Sequence, residues 1–366
     1  MHQKTNLLLI LLFSFASLLT LPIPTTASQP ISAVFAFGDS TLDSGNNNRL
    51  PFTLFKSDHK PYGKDLPNHV PSGRFSNGKL ATDFMVSKLG LKDLLPAYYD
   101  PKLTDRDLLT GVSFASGGGG MDDLTLAVSK ATSMSKQLEA FDEALGRMRK
   151  TVGEQNCSEI VKNAVFVISA GTNDMVFNMY ELPVTVRKIA FSPSGYQDFL
   201  LRALGSFVQN LYKRGARRFQ VASLPPIGCL PMQLTIGSIF NGLRRVCVDQ
   251  QNKDSQAYNT KLQDLISRLQ ASLSGSRLAY FDTYNPIMDM FSNPDKYGFS
   301  QTHEGCCGTG LVELGPLCGE LSLTCTDASK FLFWDSMHPS QAAYSVLADM
   351  AQKTRLFEAH RCQVHQ

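Results

Sequence analysis

Five short apolar runs punctuate the chain: Val34 to Phe37, Gly111 to Ala115, Val165 to Ser169, Phe219 to Ala222 and Leu278 to Phe281. They are nearly continuous rather than alternating, which predicts strands covered on both faces. Helical periodicity fills the intervals. Tyr196, Phe199, Leu200, Leu204, Phe207, Val208 and Leu211 recur at three- and four-residue steps and predict a helix over 196–213, with Gly215 placed to stop it. Tyr258, Leu262, Leu265, Ile266 and Leu269 mark another, from about Asp249 to Leu273. Met134, Leu138, Phe141 and Leu145 mark a third, and Ala343, Val346, Leu347 and Met350 a last one. These stripes read as core faces. Strands alternating with helices predict an α/β fold, a three-layer α/β/α sandwich around a mostly parallel sheet. The Pro/Gly-rich stretches Pro67 to Gly78 and Pro225 to Pro231 read as surface loops.

Composition adds little beyond a globular class. The 366 residues are 43% hydrophobic and 18% charged, with a formal net charge of +3. No dense basic block is present, which argues against a nucleic-acid partner. The short cluster Lys213 to Arg218 suits the carboxyl end of a helix. The amino terminus changes the picture more. Lys4, the apolar run Leu7 to Leu19 and the small residues Thr25-Thr26-Ala27 have the form of a signal peptide over 1–27, cleaved after Ala27. The run is short for a membrane span, and no later stretch is long enough for one. The expectation is a secreted protein, extracellular or in a cell wall. Its eight cysteines are then disulfide candidates, with 105 formal pairings. Proximity suggests Cys229 with Cys247, and Cys306 and Cys307 with Cys318 and Cys325, leaving Cys157 and Cys362. A zinc site would want two Cys-x-x-Cys arms, which are missing. Asn156-Cys157-Ser158 is a candidate glycosylation site at Asn156.

The candidate chemistry is spread over the length of the chain. Ser40 closes the first apolar run, in Gly38-Asp39-Ser40-Thr41-Leu42. The glycine run Gly117 to Gly120 follows the second, and Gly171-Thr172-Asn173-Asp174 follows the third. Near the other end lies Asp335-Ser336-Met337-His338-Pro339. A serine hydroxyl needs a neighbouring base to act as a nucleophile. His338 can supply it, with Pro339 biasing it toward extended backbone and able to open the last helix. Asp335 can curl back to Nδ1–H and fix the tautomer. Gly118 and Asn173 can donate to a developing oxyanion. Each triplet alone is commoner as a turn or a helix cap. Together they occur in chain order, three of them at strand ends, where open α/β sheets place their sites. If Ser40 and His338 share a proton, both ends of the chain meet, so residues 28–366 form a single domain. Gly73 to Leu80 nearly spells a phosphate-binding loop, but Leu80 stands where a hydroxyl must hold magnesium. His303-Glu304 lacks the second histidine of a zinc protease, and no Gly-x-Ser-x-Gly elbow occurs.

The block Phe37 to Asn48 resembles the plant-type GDSL esterase/lipase family of the SGNH hydrolase superfamily. So do Val112 to Gly118, Gly171 to Asp174 and Asp335 to Pro339. Arg74 to Lys79, Leu224 to Cys229 and Cys306-Cys307-Gly308 are typical of the plant branch, and the resemblance spans the mature chain. It implies a flavodoxin-like sandwich that hydrolyses carboxylic esters through an acyl-enzyme, without metal or organic cofactor. Carried over, Ser40 is the nucleophile and, through its N–H, an oxyanion donor with Gly118 and Asn173, while His338 and Asp335 complete the triad. Its substrate would be a small-molecule, lipid or polymer ester. Two other outcomes on the same scaffold are acyl transfer to an alcohol and a non-catalytic wall- or ligand-binding role. Ser113 departs from the family, which usually has Asn there; support for the glycine loop is expected to differ.

Overall fold

The computed structural model describes residues 30–181 and 184–357; the expected leader and Cys362 lie outside them. Strands β1 (Val34–Gly38), β2 (Val165–Ser169), β3 (Arg218–Ala222) and β4 (Arg277–Phe281) form one parallel sheet in that spatial order. Along the other edge of β1 runs the extended segment 112–116. Ala36 N–H donates to Val112 O (3.1 Å), Phe114 N–H to Ala36 O (2.8 Å) and Ser116 N–H to Gly38 O (3.0 Å). Counting that segment, the chain order across the sheet is 2-1-3-4-5, the flavodoxin-like arrangement. The expected strand Gly111 to Ala115 is nevertheless not a regular one. Ser113 makes one bridge to Ala36 and one to Ala97. The Ser113 and Ala115 carbonyls point away from β1, where the Asn46 amide takes both (2.9 and 2.8 Å), so this edge is closed by a side chain rather than by a further strand.

Helices α1 (Ala81–Lys88), α2 (Met134–Val152), α3 (Glu154–Asn163), α4 (Pro193–Lys213), α5 (Pro231–Phe240), α6 (Asp249–Ser272), α7 (Tyr284–Ser292) and α8 (Gln341–Ala351) cover the sheet. Alternation along the strands sends Phe35, Phe37, Phe166 and Phe219 to one face, into a core shared with α2, α4 and α6. Val34, Ala36, Val165 and Val167 face the other way, against Met85 and Val86 of α1 and Ala351 of α8. The result is the expected three-layer sandwich. α4 ends as its sequence predicts. Gly215 N–H donates to Tyr212 O (3.0 Å) and Ala216 N–H to Leu211 O (3.2 Å). Arg217, from the basic cluster, donates to Tyr212 O at 2.9 Å.

Three expectations need correction. Pro339 does not open α8. Ser340 caps that helix, its Oγ accepting from Ala343 N–H at 3.3 Å, while Pro339 bridges to Phe333. The stretch Pro67 to Gly78 is exposed only over Pro67 to Val70; Gly73 to Gly78 are buried. Most of Pro225 to Pro231 is buried as well, because Gly228 N–H donates to Asn252 Oδ1 (2.9 Å) and Val248 N–H to Gly228 O (2.9 Å). A second, two-stranded parallel sheet, β5 (Gln301–Gly305) with β6 (Phe331–Phe333), had no apolar signature in β5 and only three residues in β6. The cysteines pair as Cys229–Cys247, Cys306–Cys325 and Cys307–Cys318. Cys157 is buried with its thiol free. Among the described residues no helix is long and apolar enough to cross a membrane.

Candidate active site

Three loops leave the carboxyl ends of β1, segment 112–116 and β2, the place where the strand order reverses. Gly38 turns the first. Its φ of +130° and the 1.8 Å that would separate a Cβ from Ser169 O exclude any side chain. The buried Gln137 amide clamps this glycine, accepting from its N–H (2.8 Å) and donating to its carbonyl (2.9 Å). Asp39 N–H continues onto Ser169 O at 3.0 Å. Ser40 is thus presented from a fixed corner, 7% exposed.

From the far end of the chain, β6 delivers the loop 334–339. Trp334 N–H donates to His338 O (2.8 Å), closing the loop. Asp335 Oδ1 accepts the N–H groups of Met337 (2.9 Å) and His338 (2.7 Å). The same carboxylate lies 3.0 and 2.8 Å from His338 Nδ1. His338 Nε2 then lies 2.7 Å from Ser40 Oγ. Hydroxyl, imidazole and carboxylate form one unbroken relay across 298 residues of sequence.

Two aromatic residues to which sequence alone assigns no role complete this unit. The fully buried Tyr62 donates its hydroxyl to Asp335 Oδ2 at 2.8 Å and accepts from Gly315 N–H at 2.9 Å. Burial, with the Asp335 charge beside it, holds that phenol well above its ordinary range, so it stays a donor. Phe75 lies against the His338 ring, centroids 4.9 Å apart. Phe75 is positioned by its neighbour Arg74, whose guanidinium grips Asp83 through Nε (2.8 Å) and Nη2 (2.9 Å) and also donates to Leu95 O (2.7 Å).

The expected oxyanion donors converge on the same cavity, which Ser40, Gly118, Asn173 and His338 all line. The N–H groups of Ser40 and Gly118 have no acceptor among the described residues. Asn173 Nδ2 uses one hydrogen on Gly119 O (2.9 Å), which leaves the other available. Gly118 holds φ +80°, and a Cβ there would come within 2.7 Å of Ser129 Cβ.

Buried carboxylates lace these loops together, a role the sequence did not reveal. Asp43 accepts from Gly45 and Asn46 N–H through Oδ1 (2.8 and 2.6 Å) and from Gly117 N–H through Oδ2 (2.9 Å). Asp174 accepts from Met121 and Asp122 N–H (2.9 and 3.0 Å) and from the Thr125 hydroxyl (2.6 Å). Asp39 accepts from Thr41 N–H (3.0 Å) and its hydroxyl (2.7 Å). Burial pushes all three carboxyls up to about 6, against the opposing pull of these hydrogen bonds. Ser113, where an asparagine was expected, donates its hydroxyl to Leu42 O (2.6 Å) and accepts from Ala115 N–H (3.2 Å), so the glycine loop keeps a tether to the serine loop. Asn156 lies elsewhere, exposed in the first turn of α3, its amide donating to Val152 O (2.9 Å).

Comparison with known proteins agrees with this architecture. The family described as GDSL-like lipase/acylhydrolase matches residues 34–351. Three proteins of Arabidopsis thaliana, each named GDSL esterase/lipase, are similar over most of their length. One is 56% identical over 327 residues, covering 88% of this chain and 90% of its own. A second is 46% identical over 324 residues, covering 88% and 89%. A third is 47% identical over 324 residues, covering 88% of each. With the match running from β1 to the last residue of α8, the chain belongs to the GDSL-like lipase/acylhydrolase family.

Proposed function

We propose that the protein is a secreted serine hydrolase of carboxylic esters, working through an acyl-enzyme on Ser40. The observation that carries this reading is the 2.7 Å contact between His338 Nε2 and Ser40 Oγ, with Asp335 on the opposite ring nitrogen. His338 takes the hydroxyl proton as Oγ attacks the ester carbonyl carbon. Asp335 holds the tautomer and stabilises the imidazolium. The carbonyl oxygen, now negative, accepts from the N–H groups of Ser40 and Gly118 and from Asn173 Nδ2. Collapse of the tetrahedral species expels the alcohol, which takes the proton from His338. Water then enters, His338 accepts its proton, and the acid leaves with Ser40 restored.

Residues 28–366 act as one domain in this reading, because Ser40 and His338 are useless apart. Three disulfides support an oxidising destination, consistent with a cleaved leader over 1–27 and a glycan on the exposed Asn156. Hydrolysis of p-nitrophenyl butyrate by purified protein tests the proposal. Ser40→Ala is expected to reduce turnover to background, and full activity in that variant would overturn the assignment.

A further inference from the structure

The cavity at Ser40, about 220 Å³ in volume, does not end at the triad. Its inner part is walled by Val167 and Gln220 of the sheet, Thr82 and Met85 of α1, and Tyr344 and Leu347 of α8. The two helices run side by side. Lys79 N–H donates to Gln341 Oε1 (2.7 Å) at their amino ends, and Lys88 pairs with Asp349 near their carboxyl ends. The walls are mostly apolar, yet three polar side chains face the same space. Thr82, Tyr344 and Gln220 are 1%, 2% and 1% exposed, and Thr82 Oγ1, the Tyr344 hydroxyl and Gln220 Oε1 have no hydrogen-bond partner among the described residues. The Gln220 amide is oriented by its Nε2, which donates to Ala351 O at 3.0 Å, so it offers the cavity an acceptor. Burial and the fields of Asp39 and Asp335 hold the Tyr344 proton well above the ordinary range, so it stays a donor.

Such groups sit at two depths. Thr82 and Tyr344 lie near the starts of α1 and α8, while Gln220 meets Ala351, the last residue of α8. Ala351 lies seven positions after Tyr344, roughly 10 Å along the helix axis. We propose that this inner arm is an acyl-chain site for aliphatic acyl groups bearing a hydroxyl, read by Tyr344 and Thr82 near the triad and by Gln220 deeper in. The inference rests on the acyl-enzyme reading above. The order of release assigns the arm to the acyl side. The alcohol leaves first, while the acyl group still fills the site, so an alcohol lodged in the inner arm would have to pass it. A hydroxyl is the group the walls call for, since near the triad its oxygen accepts from Tyr344 and Thr82, and at the deeper position it donates to Gln220 Oε1. A bare alkyl chain satisfies none of the three.

The test compares p-nitrophenyl dodecanoate with the same ester carrying one hydroxyl moved stepwise along the chain, on purified protein. At one or two positions kcat/KM is expected to exceed that of the unsubstituted ester by about tenfold or more. Tyr344→Phe and Thr82→Val remove hydroxyls that bond to none of the described residues, so folding tolerates them, as a melting temperature checks. In both, the hydroxylated-to-unsubstituted ratio at the nearer position is expected to fall to about one. Ala351→Leu fills the deep end and is expected to lower dodecanoate turnover relative to butyrate turnover by about tenfold. A ratio flat along the wild-type chain, or unmoved in the variants, would overturn the proposal. Undiminished turnover by Ser40→Ala would defeat the nucleophile assignment instead. The acyl site is then judged by calorimetry of hydroxydodecanoate and dodecanoate on that variant, where equal affinities count against it.

Discussion

The Tyr62 hydroxyl bonds directly to Asp335, Oη to Oδ2 at 2.8 Å, across 273 residues of sequence. Asp335 is thereby held from three directions, by Tyr62, by the Met337 and His338 amides, and by the His338 ring it orients. Tyr62→Phe removes one of these and leaves Gly315 N–H without its acceptor. The expected stability cost is about 1–3 kcal/mol. Because the carboxylate then positions the ring less firmly, kcat is expected to fall about tenfold with KM little changed. A purely structural tyrosine would lower the melting temperature and leave kcat of the folded enzyme alone.

Asn173→Ala tests the oxyanion assignment. It removes the free amide hydrogen and the tether to Gly119 O. Steady-state kinetics are expected to show kcat reduced by about 10²–10³ and KM nearly unchanged, as for loss of one such donor elsewhere. Normal kcat would show that Asn173 is only a turn residue.

Arg74 and Asp83 make a bidentate pair whose side chains are 5% and 0% exposed. Asp83 also accepts from Leu80 and Leu95 N–H, both at 2.8 Å. Arg74→Ala strands a buried carboxylate and frees the segment that carries Phe75. Denaturant unfolding is expected to show a loss of about 3–5 kcal/mol. A loss below about 1 kcal/mol, as for exposed pairs, would contradict the account.

These contacts explain how far the sequence could be read. β2 was legible residue for residue, and β1, β3 and β4 to within one residue, because covered strands are mostly apolar; the buried Gln220 in β3 and the partial exposure of the edge strand β4 were not legible. Ser40, Asp335 and His338 could be grouped as candidates because their chemistry restricts residue type and Ser40 follows a readable strand end; β6, which delivers the other two, was not readable. Tyr62 was not legible, and Arg74 and Phe75 stood out only through the resemblance, without a role. They sit in segments without periodicity, and their partners appear only once the chain closes. Pro/Gly content marked 67–78 as turning, which it does, yet a turn is buried when its backbone finds partners: here Gly63 N–H donates to Ser76 O, Asp65 N–H to Asn77 O and the Asn48 amide to Ser72 O. Gly111 to Ala115 read as a strand from its apolar residues, and it does bond along β1, but its outer carbonyls go to the Asn46 amide instead of to another strand.

Asp39, Asp43 and Asp174 carry a prediction about pH. Each carboxyl binds its proton more tightly folded, at about 6, than at the ordinary 3.8. Between those values the folded state holds more protons than the unfolded one, so stability rises as pH falls across that window. His303, held below its ordinary range by burial, opposes them as a single group. Carboxylates held low by hydrogen bonds, such as Asp107, lose their contribution only as pH falls below about 4. The denaturant midpoint is therefore expected to be higher at pH 5 than at pH 7.5. A lower midpoint at pH 5 would contradict the buried-carboxyl argument.

The most direct test is to trap the covalent species. A fluorophosphonate is added to purified protein, and intact mass and peptide mapping locate the adduct. One adduct is expected per chain, on the peptide containing Ser40, lost in Ser40→Ala and strongly slowed in His338→Ala. No adduct on a protein that still cleaves esters, or an adduct on another residue, would contradict the central claim that His338 activates Ser40.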